Sequence, residues 1–491
     1  MTLRGPNPDV RARCPWARTA LGACALGLAL LAGCAAQTDV RTPATPQARA
    51  YTARAPRFDA AQPEQRLVPG ARVQRAWWRL YRNPGLDAVV ARALRGNLDL
   101  AAAGARLAQA RALVAAADGA LAPRLELQAG AGRQRYGAEF FGNSAPQPPF
   151  TYYALGLDAS WDPDLAGGAR AALRGRQALA EAQRQRVAAA ALEVSAESVE
   201  LSIDAAALRA QRARLRAVLR ADTQRLQLLR RARALGAVGG AAPLAAQARL
   251  AADAAQLPAL EQRLDATRHA LAVLLGEPPD AARLPRMAFD TLHLPRALPL
   301  VLPSRLVASR PDILLARAEL HAAAAQLGVA VADLYPHIVL SASFVPQSTQ
   351  LGTLFAAGSN GWSLLGGLLA PVFDGGALHA RARAARAAVR AAAAHYQATV
   401  LRAFGQVADA LRALQHDAEV LAARQRARDV AHAELALMRE RLRAGDVGRL
   451  QLLRVQREAE RADIGWLRAR AARERDTAQL FLALGGNPAG A

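Results

Sequence analysis

The residues with the clearest chemistry lie near the start of the chain, in Leu31-Ala32-Gly33-Cys34. A small residue before a cysteine, at the end of an apolar run, is the bacterial lipobox. The Cys34 thiol takes a diacylglycerol there, and cleavage leaves Cys34 as the first residue. Arg4, Arg11, Arg13 and Arg18 supply the positive segment before it, and residues 19–32 are a 14-residue apolar stretch, too short for a transmembrane helix. Leu21-Gly22-Ala23-Cys24 is a poorer match, because almost no apolar run precedes it. An ordinary signal with an incidental cysteine is the competing reading. The only other cysteine is Cys14, so the mature chain keeps one thiol and forms no internal disulfide.

Chemistry is scarce elsewhere. The eight histidines contain no i, i+4 pair, and no cysteine or carboxylate cluster joins them, so no metal site is expected. There is no nucleotide-binding loop, no Gly-x-Ser-x-Gly and no nucleophile–base pairing; the chain reads as a non-enzyme without a cofactor. Asp312 stands beside Arg310 at a helix start, where it caps rather than catalyses. The net charge of +23 comes from arginine alone, since the chain has no lysine. These arginines fall at solvent-facing helical spacings and read as solvated faces. The secretory start also argues against nucleic acid. Aromatic residues make up only 5 %, so alanine-rich helices packed closely, rather than a bulky core, are expected to carry stability.

The elements that must organise these residues are long. Between Gly376 and Gly445 there is no proline and only Gly405 as an internal glycine. Val400, Phe404, Val407, Leu411, Leu414, Ala418 and Leu421 repeat at steps of four and three, a heptad seam. A helix of that length spans roughly 100 Å at ~1.5 Å per residue. A second such helix is predicted over 169–235, with Leu208, Leu215, Leu219, Leu226 and Leu229 in related spacing. Each is followed by a glycine break, at Gly236-Ala237-Val238-Gly239-Gly240 and at Gly445, and by a return helix ending near Gly276 and Gly485. Shorter helices are predicted over 86–120 and 304–334.

Between the shorter and the longer helices the period changes to two. Leu125, Leu127 and Ala129 alternate with Glu126, Gln128 and Gly130, and Tyr153, Leu155, Leu157, Ala159 and Trp161 keep the same period. Ile338, Leu340, Ala342 and Phe344 alternate again, and 362–373 is the expected fourth strand. Two hairpins follow, 124–162 and 337–373, each with one apolar face and strands long enough to cross a bilayer when tilted. Trp362 suits the aromatic belt at the membrane surface. Trp77 and Trp78 fit a core or an interface.

The unit occurs twice. Gly168 and Gly376 are 208 residues apart, Gly236 and Gly445 are 209, Gly276 and Gly485 are 209, and Pro123 and Pro336 are 213. The expected organisation is a signal peptide at 1–33, a lipid-anchored extended tether at 34–75, a first repeat at 76–280, an irregular proline-bearing linker at 281–302, a second repeat at 303–486 and a tail at 487–491. Four strands cannot close a barrel, and open edges are not tolerated in lipid. Two chains would give eight strands and a filled interior; three give twelve and a lumen. The fold expected is therefore mixed α and β: a trimeric 12-stranded outer-membrane β-barrel, four strands per chain, continued by a long periplasmic α-helical barrel.

At this point the residues resemble a known family, the TolC-like outer-membrane factors of tripartite efflux pumps, in the lipoprotein branch called NodT-type. The resemblance runs from about Trp77 to Gly485. It rests on Asn97-Leu98-Asp99-Leu100, on 161–168, on Leu302-Pro303-Ser304, on Arg310-Pro311-Asp312-Ile313, on 371–376, and on Ala483-Leu484-Gly485-Gly486. It implies an exit duct that conducts passively across the outer membrane. Its partners would be further copies of itself in a homotrimer, a periplasmic membrane-fusion adaptor, an inner-membrane efflux transporter of the RND type and outer-membrane lipid. The resemblance also implies adaptor docking at the tip turns, here Gly236, Gly239, Gly445 and Asp446. In family members, acidic residues six and nine positions past the tip glycine narrow the pore and favour cations. The matching positions here are Ala242, Gln451 and Arg454, none of them acidic, which puts cation selectivity in doubt. The alternative is a non-conducting structural coiled-coil lipoprotein that spans the periplasm, although a pure spacer needs no bilayer-length hairpins.

Overall fold

The computed structural model describes residues 44, 46, 48, 50–54, 56–58, 63–136, 148–280 and 283–486. Cys34 and Cys24, with the whole expected signal peptide, and the tail at 487–491 lie outside the described residues. The chain separates into two compact units. One comprises Met1–Arg41, Arg111–Leu179 and Leu320–Ala392; the other comprises Thr42–Ala110, Ala180–Glu319 and Ala393–Ala491. Each unit draws on both repeats.

The first unit holds an antiparallel four-stranded sheet. Its strands are β2 (Arg124–Gln134), β3 (Phe150–Trp161), β5 (His337–Ser348) and β6 (Asn360–Leu369), in the order β2-β3-β5-β6. The two hairpins therefore meet through β3 and β5. Register lines up one face: Leu127 pairs with Leu157, Leu157 with Phe344 and Phe344 with Trp362. All four side chains are exposed. The row Glu126, Asp158, Ser343, Ser363 belongs to the other face, where the two serine hydroxyls bond at 2.8 Å. An apolar row open to the surroundings is what a bilayer-facing strand set presents. The outer edges of β2 and β6 have no partner among the described residues.

The fourth strand starts two residues earlier than the 362–373 expected and stops at Leu369. Pro371 follows, and a proline has no N–H to extend a ladder. Val372 and Phe373 instead stand almost fully exposed. Asp162-Pro163-Asp164 and Pro371-Val372-Phe373-Asp374 then lead into the long helices α3 (Gly168–Ala234) and α8 (Ala377–Arg443), each of 67 residues. Asp164 accepts from the Ala169 and Arg170 amides at 2.8 Å, and Asp374 from the Gly376 amide at 2.8 Å and the Leu378 amide at 2.5 Å. These carboxylates meet the orphan donors and the positive end of each helix.

The second unit is mostly helical. The stretch expected as one helix over 86–120 is two, α1 (Pro84–Gly96) and α2 (Leu98–Gly119). The counterpart is also two, α6 (Pro303–Ser309) and α7 (Pro311–Ala332), because the residue before Pro311 is driven into extended backbone. The first return helix divides into α4 (Ala241–Ala254) and α5 (Gln256–Leu274). Pro258 removes the donor that would bond the Ala254 carbonyl. The second, α9 (Arg449–Ala483), has no such proline and runs unbroken. The α8 seam is buried as its spacing predicts: Val400, Val407, Leu411, Leu414 and Ala418 have 0–1 % exposure. Around it gather Ile203, Leu306, Ile313, Leu480 and Phe481. Trp77 stacks on Phe481 at 5.0 Å and is core rather than interface. The expected tether and linker contain structure: β1 (Arg66–Pro69) pairs in parallel with β4 (Ala297–Leu300). These strands are four residues long, and alternation cannot announce so short a run. Among the described residues, no helix is long and apolar enough to cross a membrane.

Candidate functional site

The two helix–turn–helix ends, both in the second unit, gather the expected docking residues. Gly236 has φ +73° and Gly445 φ +80°. Behind them the Ala237 amide bonds the Ala232 carbonyl at 2.8 Å, and the Asp446 amide bonds the Arg441 carbonyl at 2.9 Å. These are the six-to-one bonds of a helix ended by a left-handed glycine. A Cβ at either glycine would meet nothing within 4 Å, so backbone sign alone demands glycine there. Asp446 receives Arg441 Nε at 2.6 Å on the exposed turn. Gln451 turns back to accept from the Gly448 amide at 3.3 Å and closes the start of α9. The last turns of α3 and α8 carry Arg231, Arg233, Arg441 and Arg443, cations placed at the negative ends of the helices.

Above the turns lies a buried ionic cluster. Arg457 on α9 is 5 % exposed. Its Nε is 3.1 Å from Asp222 on α3, its Nη2 is 2.7 Å from Asp253 on α4, and its Nη1 is 2.6 Å from Glu458. Arg461 also binds Asp253. Burial raises the carboxyl of Asp222, and its hydrogen bond with Asp253 adds to this against the pull of Arg457. Burial acts on Asp253 in the same sense, but the Arg457 hydrogen bond and its neighbours outweigh it and hold Asp253 below the usual range. A second node joins Asp463 to Arg428 at 2.7 Å and His432 at 3.0 Å. Among the described residues, no three potential metal ligands gather.

The outer membrane efflux protein family model matches residues 89–277 and 302–486, one copy per repeat. The chain belongs to this family. The pyoverdine export outer membrane protein OpmQ of Pseudomonas aeruginosa is 31 % identical over 344 residues, which is 69 % of this chain and 72 % of OpmQ. The solved outer-membrane channel OprN is 29 % identical, with a TM-score of 0.78 over 90 % of this chain and 99 % of that one. The open-state MtrE channel of Neisseria gonorrhoeae is 26 % identical, with a TM-score of 0.76 over 91 % and 98 %. This outer membrane efflux protein is thus an efflux channel of the outer membrane that extends into the periplasm. Its fold is the family's trimeric one, in which each chain gives four strands to the β-barrel and long helices to the helical barrel.

The expected constriction residues occupy different settings. Ala242 is half-buried against the cluster of Leu226, Leu229 and Ala246. Gln451 is exposed and spent on the cap. Arg454 is half-exposed, 3.5 Å from Glu434. Sequence reasoning missed the Arg457–Asp222–Asp253 cluster. Its one legible signal is that Asp222 occupies a core step between Val218 and Leu226, where an apolar residue is the norm.

Proposed function

We propose that this efflux channel is the passive exit duct of a tripartite pump. A periplasmic adaptor docks on the turns at Gly236, Gly239, Gly445 and Asp446, and an inner-membrane transporter of the RND type supplies the energy. Cys34 carries the lipid that anchors the chain in the outer membrane. The observation that carries the reading is the sheet of the first unit, with an exposed apolar row and two open edges. A periplasmic spacer gains nothing from such a face, and lipid is the medium that rewards it. The purified trimer is expected to migrate with heat-dependent mobility and to conduct in a planar bilayer. Extraction as a soluble, non-conducting monomer would overturn the duct in favour of the spacer.

Two details follow from the residues. A ring of three Arg454 side chains makes the closed pore less favourable to cations than an acidic ring would. Arg454→Asp should move the reversal potential toward cation preference, and an unchanged potential removes the ring from the pore. Palmitate labelling should vanish in Cys34→Ser. Labelling that survives there and disappears in Cys24→Ser moves the anchor.

A further inference from the structure

An open groove of about 440 Å³ lies in the second unit, where the chain after β1 passes α6. Arg72, Arg75 and Arg305 line it, and all three are exposed. Ala71, Val73 and Ala308 add apolar wall that solvent also reaches. Among the described residues, none of the three arginines has an ion pair. The one hydrogen bond their side chains make runs from Arg305 Nη1 to the Gly70 carbonyl at 3.4 Å. The backbone of Arg72 and Val73 makes no hydrogen bond among the described residues either, so main chain borders the groove with its donors and acceptors open.

Exposed arginines alone describe any solvated surface, but the duplication shows that a carboxylate is missing from this one. Arg305 on α6 stands 213 residues after Arg92 on α1, the spacing of Pro123 and Pro336. Arg92 is satisfied within the chain: Nη2 meets Glu277 Oε1 at 2.5 Å, and Nη1 donates to the Arg283 carbonyl at 2.8 Å. Glu277 directly follows Gly276, and its counterpart after Gly485 is Gly486. No side chain fits there without a shift of its neighbours, since a Cβ on Gly486 would lie 2.5 Å from Val73 Cγ1 and 3.2 Å from Trp77 Cδ1. The second repeat keeps the arginine, lacks its internal counter-ion and faces the same groove with Arg72 and Arg75.

We propose that this groove docks an acidic, extended segment of a partner protein. One carboxylate of the segment meets Arg305 as Glu277 meets Arg92, and others meet Arg72 and Arg75. A guanidinium offers two parallel N–H donors to the two oxygens of each carboxylate. The main chain of the segment lies along Arg72 and Val73 and pairs with their free amides and carbonyls, as an added strand does at an open edge. Its small apolar side chains rest on Ala71, Val73 and Ala308. The positive rim repels a basic segment and so selects the partner by charge. This surface shares no residue with the tip turns, so it and adaptor docking at the tips can each fail without the other.

The test is fluorescence anisotropy on the full-length trimer in nonionic detergent. The probe is a dye-tagged peptide of alternating glutamate and valine, set against one of alternating lysine and valine and against free glutamate as competitor. The acidic peptide is expected to bind once per chain and to weaken as salt is raised, while the basic peptide does not bind. Arg305→Glu should weaken the acidic peptide by about tenfold or more. Adding Arg72→Glu and Arg75→Glu should abolish binding, and the trimer persists because all three positions are exposed. Absence of acidic-peptide binding overturns the site, as does equal binding of the basic peptide or binding that the triple variant leaves unchanged. Free glutamate competing as well as the peptide would make the occupant a small carboxylate and overturn the partner segment. Binding that appears only after removal of residues 487–491 would make that segment the occupant and overturn it too.

Discussion

Asn97 and Arg310 stand at the same place in the two repeats, each just before the helix that leads to a hairpin, and they solve one problem differently. Asn97 Nδ2 reaches the Leu274 carbonyl at 3.1 Å, while its Oδ1 caps the Leu100 amide at 2.9 Å. Arg310 Nη1 reaches the matching Ala483 carbonyl at 2.7 Å, Nη2 bonds Gln406 on α8, and Nε bonds Asp312 at 2.8 Å. Both satisfy a carbonyl left orphaned at the end of a return helix. The short amide works only because the backbones nearly touch. A Cβ on Gly276 would lie 2.1 Å from the Gly96 carbonyl oxygen, whereas one on Gly485 would be 3.2 Å from Arg310 Cα. The second repeat is wider at this joint, and a longer, charged side chain spans it. Duplication kept the joint, and divergence changed its reach.

The two joints should respond most differently to substitution at their glycines. Gly276→Ala combines positive φ with a backbone collision, so it should cost about 3 kcal/mol or more. Gly485→Ala has the same φ sign but softer contacts and should cost roughly 1–2 kcal/mol. Thermal unfolding of the trimer measures both, and equal losses would dismiss the difference in spacing. Next comes the staple itself. Arg310→Ala should lose about 3 kcal/mol and Asn97→Ala about 1–2 kcal/mol. Arg310→Lys should not restore the difference, since an ammonium cannot serve three partners in a plane.

A pH effect sharpens the contrast between the charges the two return helices bury. Asp253 of the first is held below its ordinary range, so its stabilisation is present above that range and is lost on acidification. Glu474 of the second is raised from 4.5 to about 7. The folded state keeps that proton where the unfolded state releases it, so this contribution is complete below pH 4.5 and disappears as pH rises through 7. Over that window stability should fall by about 3 kcal/mol from this group. Glu474→Gln should flatten the slope, with the remainder set by Glu200 and Asp417, which burial also carries up to about 7. An unchanged slope would remove Glu474 from the account. The smallest effect is expected from Arg473→Leu, which deletes an unpaired buried charge and installs the leucine that stands 209 residues earlier at Leu264. Its stability should change by no more than about 1 kcal/mol in either direction.

Much of this was readable from pattern. The heptad from Val400 to Leu421 is buried at every step but Phe404, which is partly buried, and the alternation in 125–129, 153–161 and 338–344 became strands. What pattern missed was short or non-local. The β1–β4 pairing joins residues 231 positions apart, as Arg66 and Ala297 show, and neither four-residue strand alternates visibly. Breaks at Asn97, Arg310 and Ala255 were hidden inside apolar helical spacing, although Pro311 and Pro258 mark two of them. The tip glycines were legible because left-handed backbone calls for glycine. The Arg457–Asp222–Asp253 cluster was not, because its members come from three helices.

The sequence alone therefore determined the local periods, the punctuation by glycine and proline, and the duplication that makes two repeats from one plan. These depend on residues a few positions apart, or on self-similarity that needs no coordinates. Only the tertiary structure decided which charges meet in the interior. Asp222 and Asp253 meet Arg457 and Arg461, whereas Nη1 and Nη2 of Arg473 are buried with no hydrogen-bond partner among the described residues. Burial and pairing are properties of side chains brought together from distant helices, and no spacing along the chain encodes them directly.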